Sequence, residues 1–214
     1  MTGSATARPL VINGRFLTQH PTGVQRFAIE TVKAIDQLLT EPRYAALQDR
    51  VRLLTPRHSR ALQLSHIETR ACGRMRGYGW EQLELPCFST GAVLLNLCML
   101  GPVALRRQIV VVHDATVAAM PESFSPAFRL AYRTMIPLLC RRAARIVTVS
   151  EFSRREIARC YGASADAMVV CSEGADHLAA IAPDPAVLRA EAWRAGASCS
   201  RSASAVATRM PRRS

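Results

Sequence analysis

Ile109-Val110-Val111-Val112-His113-Asp114 decides how the rest of the chain is read: four β-branched residues in succession, halted by an imidazole and a carboxylate. An unbroken branched run suits a strand buried on both faces, as in a parallel sheet covered by helices; a strand with one wet face would alternate apolar and polar. In open parallel sheets ligands bind outside the carboxyl ends of the strands, so His113 and Asp114 stand where a site would form. The same residues also fit a plainer role, a hydrogen-bonded histidine at a strand end and an aspartate capping the next turn. Their neighbours in sequence bear on the choice.

On the C-terminal side, Ser125 to Arg142 reads as a helix with Phe128, Tyr132, Met135, Ile136 and Leu139 on one face. Ile146-Val147-Thr148-Val149 is a strand ending at Ser150, and Ser153-Arg154-Arg155-Glu156 has capping-box spacing for a helix through Tyr161. Met168-Val169-Val170-Cys171 is a further strand, ending in Ser172-Glu173-Gly174-Ala175-Asp176. On the N-terminal side, Leu10-Val11-Ile12-Asn13 is a strand closed by the turn pair Asn13-Gly14. A helix follows in which Val24, Phe27, Ala28, Thr31, Val32, Ile35, Leu38 and Leu39 recur with helical period. Val51 to Leu54 and Val93 to Leu97 are strands. No structure is assigned to the basic stretch from Pro56 to Arg76, and Trp80 to Pro86 reads as a short helix stopped by its proline, with Trp80, Leu83 and Leu85 inward and Glu81 an exposed helix carboxylate, a ligand contact being its alternative role. Strand and helix alternate, so the expected class is α/β, a Rossmann-like, predominantly parallel sheet with helices on both faces. Residues 10–182 form the expected domain, with disordered residues 1–9 before it and an Ala/Arg/Ser-rich tail over 183–214.

The polar residues of interest follow a strand or open a helix. Thr22 and Gly23 begin the first helix, where free amides and the positive dipole end suit a phosphate or carboxylate; Gly23 would allow close approach and Arg26 could add a charge-assisted contact. With Gly14, His113, Asp114, Ser150, Gly174 and Asp176 they make a candidate set on one edge of the sheet. The plainer reading of each is a cap or a turn former.

Composition narrows the function classes. The net charge is +12, yet Lys33 is the only lysine, and no zinc finger, RNA-binding signature or basic stripe interleaved with aromatics accompanies the arginines. Nucleic-acid binding is therefore a minor reading, while affinity for anionic membrane surfaces or phosphorylated ligands stays open. The seven cysteines are odd in number and lack C-x-x-C spacing, which argues against a disulfide framework and a zinc site; no metal is expected. The N-terminus lacks the pattern of a secretory signal and the longest apolar stretch falls short of the roughly 20 residues of a membrane helix, so a cytoplasmic chain is expected.

Several segments together resemble the N-terminal half of family 4 glycosyltransferases, retaining nucleotide-sugar enzymes of the two-domain GT-B architecture. They are Ile12-Asn13-Gly14-Arg15 with Thr22-Gly23-Val24-Gln25-Arg26, then Trp80-Glu81-Gln82-Leu83-Glu84-Leu85-Pro86 and Leu94-Leu95-Asn96-Leu97-Cys98. Val111-Val112-His113-Asp114, Pro121-Glu122-Ser123-Phe124 and Thr148-Val149-Ser150-Glu151-Phe152-Ser153 complete the set. The resemblance implies one half of a GT-B fold and transfer of a hexose, mannose being typical, from a nucleotide diphosphate sugar to a glycan or glycolipid acceptor in polysaccharide or glycolipid synthesis. No resident cofactor is implied, the nucleotide sugar being the donor substrate, and peripheral association with the inner face of the membrane is compatible with it. On this resemblance the loop from Gly14 to Gly23 approaches the donor diphosphate, Arg26 helps bind phosphate or acceptor, His113 lines the acceptor side and Asp114 is a second contact. A non-catalytic module that keeps an acceptor- or partner-binding surface is the alternative.

Two departures stand out. Ser172-Glu173-Gly174-Ala175-Asp176 replaces the family's P-N-G-V-D, matching at Gly174 and Asp176. The family's donor-binding domain has no counterpart, because only about 30 residues follow Pro183. If codons for Ala197 to Ala203 are read from each third base, the permitted products include Phe-Val-Leu-Ala-Val-Gly, an apolar strand with a terminal glycine. The expectation is a fragment, inactive alone, in which a frameshift near Arg189 to Ala197 has replaced the second domain. Sequencing the downstream DNA checks this. We expect a frame encoding a second αβ domain with spaced glutamates, and its absence would contradict the frameshift.

Overall fold

The computed structural model describes residues 8–174. Its centre is one seven-stranded sheet with the order β3-β2-β1-β4-β5-β6-β7, every neighbouring pair parallel. The strands are β1 Leu10–Asn13, β2 Val51–Pro56, β3 Glu68–Cys72, β4 Val93–Asn96, β5 Gln108–Val111, β6 Arg145–Thr148 and β7 Met168–Val170. Six of them match the apolar runs read from sequence. The seventh, β3, falls in the basic stretch left without structure: Glu-Thr-Arg-Ala-Cys is an edge strand with only Cys72 buried, so it carries no hydrophobic signal.

The strand order reverses between β1 and β4, and the helices divide accordingly. Helix α1 (Gly23–Leu38) covers one face, packing Ala28 and Val32 against Ile12, Leu53 and Val111. The other face carries Trp80 and Leu85 against Val11 and Leu94, and beside them α5 (Pro126–Arg142) and α6 (Glu151–Tyr161) over Val110, Val112 and Ile146. The described chain is thus a Rossmann-like α/β unit with both faces covered.

Residues 77–88 run on past Pro86, the expected stop. A turn of α2 (Gly77–Gly79) widens into a π-helical segment, Trp80–Glu84, and continues as α3 (Leu85–Phe88). The Leu85 N–H reaches the Trp80 carbonyl five residues back, and Pro86 follows in the first turn of α3, where a missing N–H is tolerated. The same winding turns Leu83 outward, 63% exposed, against expectation. At α6 the cap is Ser150, whose Oγ accepts from Ser153 N at 3.0 Å, so the helix starts three residues earlier than the Ser153 capping box implied. Short α4 (Thr116–Ala119) follows β5. No described helix is long and apolar enough to cross a membrane.

Asp36 is buried on α1 with the stripe that carries Val32 and Leu39, and its carboxylate accepts the backbone N–H groups of Ser65, His66 and Ile67, each at 2.8 Å. These bonds hold the loop that leads into β3. Burial alone would raise the Asp36 pKa, but the three amides outweigh it and leave the value lowered. A lowered carboxylate stabilises the fold above the pKa of the unfolded chain, and that contribution disappears as pH falls through the folded value. Asp36→Asn should therefore lose about 1–3 kcal/mol at neutral pH, with a deficit that shrinks on acidification. Urea unfolding of both proteins across the acid range measures it; equal stability at neutral pH would contradict the anchor.

Candidate functional site

The carboxyl end of β1 lies at the point where strand order reverses, and the side chains there are polar and buried. Asn13 Nδ2 donates across the gap to Asn96 Oδ1 of β4 at 2.9 Å and to Glu81 Oε1 of the π segment at 2.8 Å. Its Oδ1 accepts from Arg15 N at 3.1 Å, which folds the chain into the 3-10 turn Gly14–Thr18. Arg15 Nε then donates to the same Glu81 Oε1 at 2.9 Å, an ion pair whose side chains are only 7% and 1% exposed. On the far side Asn96 Nδ2 donates to Gln108 Oε1 at 2.9 Å, and Gln108 Nε2 closes the row on the carbonyls of Pro102 and Leu105, both at 2.7 Å. The guanidinium of Arg15 stacks on the Tyr78 ring, 4.6 Å from its centroid. Burial alone would lower the Arg15 pKa, but Glu81 more than compensates and raises it. Glu81 is therefore a buried counter-ion, which overturns the exposed position expected from its helix. Its signal in the sequence is position: apolar Leu85 stands four residues on, on the same helix face.

This network explains Gly14. A Cβ there would lie 2.6 Å from the Leu54 carbonyl oxygen and 2.7 Å from Thr55 Cγ2, so glycine is required by close packing on β2, and the residue is buried. Cys98 lies beside the pair, its Sγ 3.6 Å from the Val24 carbonyl; its thiol is pushed up to about 12, mainly by burial, which makes it unreactive.

His113, just past β5, is on the α1 side of the sheet. Its ring Nε2 lies 2.9 Å from the Leu97 carbonyl after β4, which fixes the proton on Nε2, and Phe27 of α1 meets it edge to face with centroids 4.7 Å apart. Nδ1 points toward Glu173 Oε1 after β7 at 3.2 Å. His113 is 5% exposed, while the Glu173 side chain is half-exposed. Three separate segments thus converge on the imidazole that the end of β5 carries. Glu173 went unrecognised because sixty residues separate it from His113 and its turn departs from the family pattern.

Other expected residues take different positions. Asp114 is exposed and accepts from Thr116 N at 2.9 Å, opening α4; the His113 ring finds its partners elsewhere, so Asp114 serves as a cap. Thr22 caps α1, with Gln25 reaching back to its N–H at 3.1 Å. Gly23 has open space around it and Arg26 is exposed; the Thr22 side chain takes the Gln25 amide, so Gly23 and Val24 carry the remaining amides before the helical bonds begin. Ser150 is committed to its own helix cap. Gly174 is exposed at the end of the described residues, and Asp176 lies outside them, as does the 183–214 tail. Among the described residues no group of three or more His, Cys, Asp and Glu side chains is arranged to hold a metal.

The fold resembles the crystal structure of Anabaena Alr3699/HepE in complex with UDP and glucose, with a TM-score of 0.51 at 16% sequence identity over 86% of this chain. This chain spans about half the length of that one, 50%. No protein-family model matches the sequence, and no curated protein matches it either.

Removing the Glu81 carboxylate strands Arg15 and one Asn13 donor inside the protein. Glu81→Ala should lower unfolding free energy by about 3–5 kcal/mol, as for other broken buried pairs. Denaturant titration measures this, and a loss below about 1 kcal/mol would show the pair to be dispensable.

Proposed function

We propose that this chain is the acceptor-side half of a nucleotide-sugar-dependent glycosyltransferase of the GT-B type. The observation that carries the reading is the convergence of α1, the ends of β4 and β5 and the turn after β7 on His113 at the carboxyl edge of the sheet. The resemblance of the fold to half of a chain solved with UDP and glucose supports it. The reaction is retaining hexosyl transfer, mannosyl included, to a glycan or glycolipid acceptor of polysaccharide or glycolipid synthesis, at the inner face of the membrane.

In this reading His113 works as an oriented imidazole. The Leu97 carbonyl accepts from Nε2, and Nδ1 faces Glu173 Oε1; a sugar hydroxyl that displaces the half-exposed Glu173 side chain takes its place as the hydrogen-bond partner of Nδ1. The amides of Gly23 and Val24 at the start of α1, with Arg26 one turn in, offer an anion contact for the donor diphosphate. Gly14 acts indirectly, by letting the β1 turn seat against β2. Residues 8–174 supply one wall of the cleft, and a donor-binding half completes it.

Fusing residues 8–174 to the half of the HepE chain that this chain does not cover tests the proposal. We expect hexose transfer from a nucleotide sugar. His113→Ala should lower kcat by about 10²-fold and, because it also unpairs the buried Leu97 carbonyl, should cost about 1–3 kcal/mol of stability. Glu173→Gln, at a half-exposed position, should leave stability within about 1 kcal/mol and change KM for the acceptor. A fusion that binds UDP and transfers no sugar, or a His113→Ala fusion with undiminished kcat, would refute the proposal.

A further inference from the structure

A second cleft lies on the face of the sheet opposite α1, between α5 and α6 beneath α4, with a volume of about 560 Å³. That is within the usual ligand-pocket range of about 300–1,000 Å³. Its lining contains Arg133, Arg141 and Arg159 and no carboxylate, and it includes neither His113 nor Asp114. Arg133, Pro137 and Arg141 stand four residues apart on α5, so they share one stripe, and the two arginines are separated by about 12 Å along the helix. Both are exposed, and among the described residues neither has an ion-pair partner. Arg159 is exposed and pairs with Glu156 through bonds of 3.1 and 2.6 Å, so part of its charge is already balanced and the two α5 arginines carry most of the cleft's positive charge.

An independent observation comes from Tyr161, the last residue of α6. It lines the same cleft, is 6% exposed, and its hydroxyl is buried without a hydrogen-bond partner. A buried phenol normally finds one. Burial pushes this phenol up to about 12, so the hydroxyl keeps its proton and can donate. Forked guanidinium groups spaced too widely for one carboxylate, together with a neutral donor awaiting an acceptor, match an oxyanion carrying two or more charges.

We infer that the α5–α6 cleft is a binding site for a phosphorylated ligand of at least two negative charges, held by Arg133, Arg141 and Arg159 with Tyr161 donating to a phosphate oxygen. The occupant is a soluble diphosphate or a phosphomonoester lipid headgroup, which share this chemistry. The site is separate from the His113 edge and does not depend on the sugar-transfer reading.

The test uses the 214-residue chain and two probes: pyrophosphate by calorimetry, and phosphatidylcholine vesicles doped with phosphatidic acid by co-flotation. We expect at least one probe to bind, Arg133→Gln with Arg141→Gln to weaken it about tenfold, and Tyr161→Phe to weaken it about threefold with an unchanged melting temperature. Arg70→Gln with Arg74→Gln, which removes equal charge in and just after β3, should leave binding intact. Pyrophosphate binding alone identifies a soluble ligand, vesicle binding alone a lipid headgroup, and either supports the site. Failure of both probes, equal binding by the cleft variants, or an equal loss in the β3 control would overturn it.

Discussion

The buried pair of Arg15 and Glu81, with Asn13 bonded to both, is the constraint on which the candidate site depends. Two charges have been taken out of water at the point where the sheet reverses its strand order, and their attraction is set against a desolvation penalty of several kcal/mol per ion. The geometry is correspondingly full at Glu81 Oε1, which accepts from both Asn13 and Arg15, while Oε2 is buried with no partner. A pair of this kind adds little net stability over an apolar one, but it is costly to break. Its effect is to specify one path for the chain leaving β1, since any other path would strand a charge.

That path determines what reaches the carboxyl edge. The turn from Asn13 to Thr18 must fold tightly enough to return the chain to Gly23, so that α1 descends the opposite face and sets Phe27 against His113. The Asn13–Asn96–Gln108 row joins the first half of the sheet to the second beneath this crossing. The crossing is therefore closed from below by a polar row and lined above by His113 and the outward first turn of α1. The imidazole is more deeply embedded than a residue at a ligand edge usually is, because the Leu97 carbonyl and the Phe27 ring hold it from two sides.

What could be read from sequence was what local pattern encodes. Buried parallel strands are apolar runs, and six of the seven were visible, as was the periodicity of α1 and α5. The edge strand β3 was hidden because exposure on both faces removes the pattern. The strands that lead to His113 and Ser150 could be read, but the partners of buried polar residues were not legible: the His113 contact with Glu173 and the Glu81 contact with Arg15 cross 60 and 66 residues of chain. Asp36 and Glu81 share a usable signal, a carboxylate on the apolar stripe of a helix, which marks a buried anion that needs donors. Asp114 and Ser150 went the other way. Their short side chains satisfy nearby amides first, as capping residues commonly do.

We propose the edge around His113 as a sugar-binding wall, and amide chemical-shift mapping of the isotope-labelled chain tests this most directly. On titration with an acceptor glycan, perturbations should centre on Phe27, Leu97, His113 and Glu173, and on titration with UDP-glucose they should centre on Gly23 to Arg26. Perturbations absent from both groups, or centred at the amino ends of the strands, would contradict the account.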